Sequence, residues 1–259
     1  MNINKTEIIG MIHLPPTVSY LGWKGIEYCI KKAIRDLKAL ENGGASAALI
    51  ENDGDSPCKL YGEPDVIAPM SIVAHELSKI AKIPLGIEVL LNDPKSSLMI
   101  AKTVGLQFIR TDYFVDRMTR KGYGEFKIDP KGLINIRKQI NGESIKIFTD
   151  VQVKYATMKD KKKTISQSVS EALIYGSDGV IISGTETGEQ PLIDHIKEAK
   201  QITKGKIPVI VGSGFSVENA EDLLSYADWA MVGTSIKTNN YIDIQKIEKL
   251  MQCVQQNIK

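Results

Sequence analysis

Eight short apolar runs, each followed by a stretch with helical periodicity, constrain this chain more than any single motif. They are 8–14 (IIGMIHL), 45–52 (ASAALIEN), 84–90 (PLGIEVL), 107–114 (QFIRTDYF), 145–153 (IKIFTDVQV), 179–185 (GVIISGT), 207–213 (IPVIVGS) and 228–235 (DWAMVGTS). Most are continuously apolar rather than alternating, as strands covered on both faces are. A helical crossover between consecutive strands makes those strands parallel neighbours. Eight such units in 259 residues predict an α/β fold, a closed (β/α)8 TIM barrel forming one domain over 1–259. A doubly wound open sheet is the alternative.

The intervening helices carry their own punctuation. The segment 25–42 has an apolar stripe and stops at Asn42-Gly43-Gly44, a C-terminal signal. Asp93-Pro94 and Asp129-Pro130 each read as a cap followed by proline in the first turn. Thr164-Ile-Ser-Gln167 is a capping box. Helices are also expected over 64–81, 191–203, 217–225 and from 242 to about 256.

Composition excludes several classes of function. A net charge of +2 and a lysine run (KDKKK, 159–163) without interleaved aromatics argue against a nucleic-acid partner. No stretch reaches the roughly 20 apolar residues of a membrane-spanning helix, so direct membrane insertion is not expected. Three well-separated cysteines, Cys29, Cys58 and Cys253, fit a reduced compartment. The opening MNINKTEIIG lacks the pattern of a secretory leader. A cytoplasmic location follows as an expectation. Homo-oligomers are common among barrels, and no interface motif marks one here.

Polar side chains fall late in the apolar runs: His13, Glu51, Asn52, Glu88, Arg110, Asp112, Asp150, Gln152 and Lys154. In a parallel barrel the late ends of all strands open on one face, so these residues are expected to ring one cavity. The last two runs end in Gly212-Ser213-Gly214 and Gly233-Thr234-Ser235. Adjacent small-residue turns of this kind offer backbone amides and hydroxyls to an anion, at the position where barrels commonly bind phosphate. A small phosphorylated metabolite is the expected partner. Thr185 and Thr187, in the loop SGTETG (183–188), are candidate donors to the same ligand.

Asp150-Val-Gln-Val-Lys154 is the most suggestive constellation, since strict alternation would put Asp150, Gln152 and Lys154 on one face. Asp150, Lys154, Glu88, Asp112 and His13 are the candidate catalytic groups, with carboxylates as acid or base and the lysine as anion stabiliser or Schiff-base amine. Glu51, Asn52, Arg110 and Gln152 are candidate substrate contacts. No cofactor motif is present. The acidic run Glu51-Asn52-Asp53-Gly54-Asp55 is the stretch that would suit a hard cation such as Mg²⁺. GxSxG, HExxH and P-loop patterns are absent, so activated-serine hydrolysis has no support.

In order along the chain, the stretches GMIHLPP (10–16), LIEN (49–52), PLGIEVL (84–90) with Asn92-Asp93, FIR (108–110), FTDVQVK (148–154), GTETG (184–188), PVIVGSG (208–214) with Glu218-Asn219, and VGTSIK (232–237) resemble the BtpA family of TIM-barrel proteins. That family includes a predicted nucleosidase-like branch and a cyanobacterial factor for photosystem I biogenesis. The resemblance implies a (β/α)8 barrel with a phosphate-type site. This chain departs from the family at Thr17-Val-Ser19, at Glu88 where asparagine is usual, at Tyr155 where histidine is usual, and at Thr111-Asp112 in place of Val-Asn. Two neutral groups have thereby become acids near the mouth. The expected function is an enzyme acting on a phosphorylated sugar or nucleoside-like metabolite, with nucleosidase-like glycosidic chemistry. The alternatives are a non-catalytic assembly or regulatory protein and a Schiff-base aldolase using Lys154.

Overall fold

The computed structural model describes residues 6–257, so residues 1–5 of the opening segment lie outside the described part. Eight parallel strands close into a barrel: β1 (Glu7–His13), β2 (Ala47–Glu51), β3 (Leu85–Glu88), β4 (Phe108–Thr111), β5 (Lys146–Val151), β6 (Gly179–Ile182), β7 (Val209–Val211) and β8 (Trp229–Val232). Closure is direct, because β1 pairs in parallel with both β2 and β8. Each predicted run contains one barrel strand, and the open-sheet alternative is ruled out by that pairing.

Eight helices follow the strands: α1 (Ile26–Asn42), α2 (Pro64–Ser78), α3 (Pro94–Val104), α4 (Pro130–Gln139), α5 (Ile165–Tyr175), α6 (Ile193–Thr203), α7 (Ala220–Leu224) and α8 (Ile244–Asn257). The predicted caps form. Asp93 accepts from the Ser96 amide, Asp129 from the Gly132 amide, and Thr164 and Gln167 complete a reciprocal capping box. These bonds satisfy first-turn donors that otherwise have no partner. Helix α7 is shorter than predicted, because Ser216 to Asn219 close a turn before it.

Two apolar layers hold the barrel. Outward-facing strand residues such as Ile8, Ile50, Ile87 and Val180 pack on the helices. Inward-facing Ile9, Met11, Leu49, Phe108, Phe148, Ile181, Ile210, Trp229 and Met231 fill the interior. Phe148 lies 5.2 Å from Phe108 and 5.6 Å, edge-on, from Trp229. The missing side chain of Gly86 makes room for this plug, since a Cβ there would sit 2.2 Å from the Phe108 ring. The barrel middle is therefore solid, and anything bound must sit above it.

The β4–α4 connection carries strands Met118–Arg120 and Gly124–Glu125, which join Thr157–Met158 from the β5–α5 connection in a three-stranded antiparallel sheet. Tyr113 and Phe126 stack beneath it at 3.7 Å, with Leu91, Met118 and Val153 completing a small apolar cluster. Gly122 and Gly124, at φ of +87° and +76°, make its turn. A second small hairpin, Lys237–Thr238 with Tyr241–Ile242, stands between β8 and α8. Among the described residues no helix is long and apolar enough to cross a membrane.

Candidate functional site

Alternation carries the inward series two residues past the aromatic plug on each strand. It reaches His13, Glu51, Glu88, Arg110, Asp150, Ser183, Gly212 and Gly233. The apolar interior thus gives way to a charged layer at the C-terminal mouth.

Arg110 is the centre of that layer. Its Nε and Nη2 donate to the two oxygens of Asp150 at 2.8 and 3.1 Å. Glu88 lies 3.5 Å, Asp112 3.6 Å and Glu51 4.0 Å from the same guanidinium. Arg110 is 4% exposed, Glu88 3% and Asp150 1%. Burial opposes the charge on Arg110, yet Asp150, Glu88 and Asp112 more than offset it and keep the guanidinium protonated. One cation for four carboxylates leaves negative charge in excess. Burial, with the other acids, pushes Glu88 well above the usual carboxylate range despite Arg110. Burial likewise pushes Asp112 up to about 6. Glu88 Oε2 and Asp112 Oδ1 are buried without a hydrogen-bond partner among the described residues.

A cavity of about 330 Å³ opens above this layer. Glu51 and Arg110 form its floor, and Gly212, Ser213, Gly214, Gly233, Thr234 and Ser235 form one wall. The two glycine turns therefore converge, as predicted. Their hydroxyls are partly committed: Ser213 Oγ accepts from the Gly184 amide and donates to the Glu189 carbonyl, and Ser235 Oγ donates to the Phe215 carbonyl. These bonds fix the loops. Among the described residues no acceptor takes the amides of Gly214, Phe215, Thr234 or Ser235. Gly214, at φ +65°, lets the first turn fold against Glu189 and Gln190, where a Cβ would lie within 2.5 Å of backbone.

His13 and Asp53 stand on the cavity wall. His13 Nδ1 is 3.1 Å from Asp53 Oδ2, and the hydrogen bond from His13 holds the Asp53 carboxyl below its ordinary value. With Nδ1 engaged, Nε2 faces Gly233, where a Cβ would be 3.4 Å away. Lys154 lines the mouth beside Thr187, half-buried. No hydrogen bond or ion pair occupies its ammonium among the described residues.

Several predicted contacts are placed elsewhere. Strand β5 ends at Val151 and Gln152 takes φ +48°, so the assumed alternation through position 154 fails. Gln152 turns to the Lys163 carbonyl and Ser168 and lies off the cavity. Asn52 is a brace, accepting from the Leu90 amide and donating to Asp55. Thr185 bonds Glu189 across its own loop, while Thr187 stays on the wall. Asp150, bound to Arg110 and Ser183, lies beneath the floor with Glu88 and Asp112. The acidic run does not converge on a cation: Asp53 faces His13, Glu51 faces Arg110, and Asp55 accepts from Thr17 and Asn52. Among the described residues no group of three His, Cys, Asp or Glu is arranged to hold a metal ion.

In the sequence Asp53 is one acid of a run, and only the fold pairs it with His13. Nothing in the local sequence pairs a residue past β2 with one at the end of β1. Phe215 and Asn219 also reach the cavity. Tyr155 accepts from the Thr187 amide and ties the β6 loop to the mouth.

A closed (β/α)8 barrel with a charged layer under a donor-lined cavity at its C-terminal mouth is the architecture of TIM-barrel proteins that work at the strand ends. The BtpA family model matches residues 4–256, and the chain belongs to the BtpA family. An uncharacterised protein of Methanocaldococcus jannaschii is 36% identical over 254 residues, 95% of this chain and 94% of its own. The photosystem I biogenesis protein BtpA of Synechocystis is 29% identical, over 97% of this chain and 89% of its own. Among solved structures, thiamine phosphate pyrophosphorylase from Pyrococcus furiosus superposes with a TM-score of 0.62 at 14% identity, covering 99% of both chains. (S)-3-O-geranylgeranylglyceryl phosphate synthase from Thermoplasma acidophilum, in complex with sn-glycerol-1-phosphate, gives 0.62 at 15% identity, over 98% of this chain and 94% of that one. At these identities the shared property is the fold.

Proposed function

We propose that this protein is an enzyme that binds a phosphorylated sugar or nucleoside-like metabolite and cleaves its glycosidic bond. The observation that carries the reading is the two-sided cavity. Gly214, Phe215, Thr234 and Ser235, whose amides have no acceptor among the described residues, line one wall, and Glu51 lies in the floor above the other acids of the layer, Glu88, Asp112 and Asp150. The first wall suits a phosphate. The floor suits a reacting centre that gains positive charge, as the anomeric carbon does when a glycosidic bond breaks.

In this scheme Glu51, the carboxylate of the Arg110 layer that reaches the cavity, stands against the developing oxocarbenium ion. Asp150 fixes Arg110, whose guanidinium stands 4.0 Å from Glu51 and balances its charge. His13 Nε2 accepts a proton from the attacking water, with Asp53 fixing the ring through Nδ1. Lys154 neutralises charge on the leaving group at the mouth. The phosphate in the cradle supplies binding energy remote from the reacting bond. The structural relatives named for phosphorylated metabolites support the general class.

The relative named for photosystem I biogenesis supports a second reading, a non-catalytic assembly or regulatory protein. The Schiff-base reading draws on Lys154 alone, which sits at the open mouth rather than in a desolvated pocket. The test is a screen of nucleoside 5′-monophosphates and their nucleosides for release of free base. The reading expects turnover of phosphorylated forms, lost in His13→Ala. Binding with no turnover of any substrate would support the non-catalytic reading. Reductive trapping of a carbonyl substrate on Lys154 by borohydride would support the aldolase.

A further inference from the structure

On the far side of the His13–Asp53 pair lies a second cavity of about 300 Å³, which shares those two residues with the first. Its other walls include Lys24, Lys32, Lys237, Tyr28 and Asn240. Three lysines thus line one space whose only lining carboxylate among the described residues, Asp53, is already paired with His13, and of the three Lys32 has its own counter-ion in Asp36. Lys32 is held in position by Asp36 and by the His13 carbonyl, at 2.5 and 2.8 Å. Lys24 lies over the Tyr28 ring, 4.9 Å from its centroid. Lys237 has no side-chain hydrogen bond or ion pair among the described residues. It follows Ser235 by two residues in the connection after β8, so one loop serves both cavities.

We propose that this second cavity is an anion subsite, so that the natural ligand carries two anionic groups, one on each side of the His13–Asp53 pair. The proposal rests on the reading of the first cavity as a phosphate cradle. The two subsites differ in chemistry: the first offers neutral amides, the second fixed charge. A half-buried ammonium without a counter-ion is costly until an anion arrives. Burial, then the neighbouring Lys32, holds the Lys237 amine down to about 8, against the opposing pull of Asp53, Asp36 and Glu51. That is the state expected of a lysine whose partner is a ligand rather than a side chain. The second group is a phosphate ester or a carboxylate, and both are served by the same ammonium.

The experiment is calorimetric titration of the full chain with ribose 5-phosphate, ribose 1,5-bisphosphate and 5-phosphoribonate, repeated in Lys237→Met and Lys237→Arg. The wild type is expected to bind one or both doubly anionic ligands about 10-fold more tightly than ribose 5-phosphate, the size of one charge-assisted contact. Which one it prefers separates phosphate from carboxylate. Lys237→Met is expected to lose the preference while keeping its affinity for ribose 5-phosphate, and Lys237→Arg to retain most of the preference. Equal affinity for all three ligands in the wild type, or a preference that survives Lys237→Met, overturns the second subsite and leaves the cradle standing. Lys237-dependent binding of the doubly anionic ligands with no binding of ribose 5-phosphate overturns the cradle and leaves the second subsite standing. Failure of all three ligands to bind overturns both.

Discussion

Arg110 lies across the barrel mouth and grips Asp150 with two nitrogens, Nε at 2.8 Å and Nη2 at 3.1 Å. The two residues sit on neighbouring strands β4 and β5, where Arg110 pairs with Phe148, two residues before Asp150. This bidentate pair fixes the plane of the guanidinium, and Glu51, Glu88 and Asp112 are arranged around what remains.

Removing the cation should cost more than removing any one acid. Arg110→Met leaves four carboxylates facing one another in a buried layer. A loss of about 3–5 kcal/mol in unfolding free energy at pH 8 is expected, the range for an unpaired buried charge. The loss should shrink at pH 5, where the acids take up protons instead. Urea unfolding at the two pH values measures it, and an equal loss at both would contradict the description of the layer.

Asp112 should make the protein less stable as pH rises. Its carboxyl is raised from about 3.8 to about 6, chiefly by burial. Below pH about 4 both folded and unfolded chains hold the proton, and the contribution is fully present. Between about 4 and 6 the unfolded chain releases a proton that the folded chain keeps, and stability falls. Above 6 the loss is complete, on the order of 1–3 kcal/mol. Asp112→Asn should therefore be more stable than the wild type at pH 8 and equal to it near pH 4. Glu88, raised for the same reason, leaves a residual slope in the variant. A variant less stable than the wild type at pH 8 would show that ionised Asp112 is a net gain.

These charges also mark how far the sequence could be read. Strand order, closure and the caps at Asp93, Asp129 and Thr164 were legible because period, turn chemistry and capping are local. The convergence of Gly212–Gly214 with Gly233–Ser235 followed from the position of adjacent loops in any closed barrel. The roles inside the mouth were less legible. Asp150 and Gln152 were assigned to one face by alternation, and a single residue in the left-handed region at 152 broke that rule just past the strand. The His13–Asp53 pair joins two connections whose approach depends on the fold of both. The sheet over the β4 mouth was hidden because its strands are two or three residues long, too short for a period to register.

The plug beneath the site should be intolerant of added volume. Gly86→Ala places a methyl 2.2 Å from the Phe108 ring and should destabilise by about 1–3 kcal/mol. Combining it with Phe108→Leu should recover part of the loss, because the smaller side chain yields the space. Thermal unfolding of the single and double variants checks this, and strictly additive losses would argue against the contact.

Asp53 should act through His13. In Asp53→Asn the carboxylate that accepts from Nδ1 becomes an amide that no longer fixes the ring's tautomer. Turnover is expected to fall about 10²–10⁴-fold with ligand affinity within a few-fold of the wild type. Steady-state kinetics beside calorimetric binding separates the two effects. Unchanged turnover would remove His13 from the proposed chemistry.

The cradle formed by the β7 and β8 loops is the central claim, and a crystal structure with ribose 5-phosphate tests it most directly. The account predicts phosphate oxygens about 3 Å from the amides of Gly214, Phe215, Thr234 and Ser235, with the sugar lying over Glu51. Phosphate bound away from these amides, or the ligand reversed with its phosphate at the mouth beside Lys154, would contradict it.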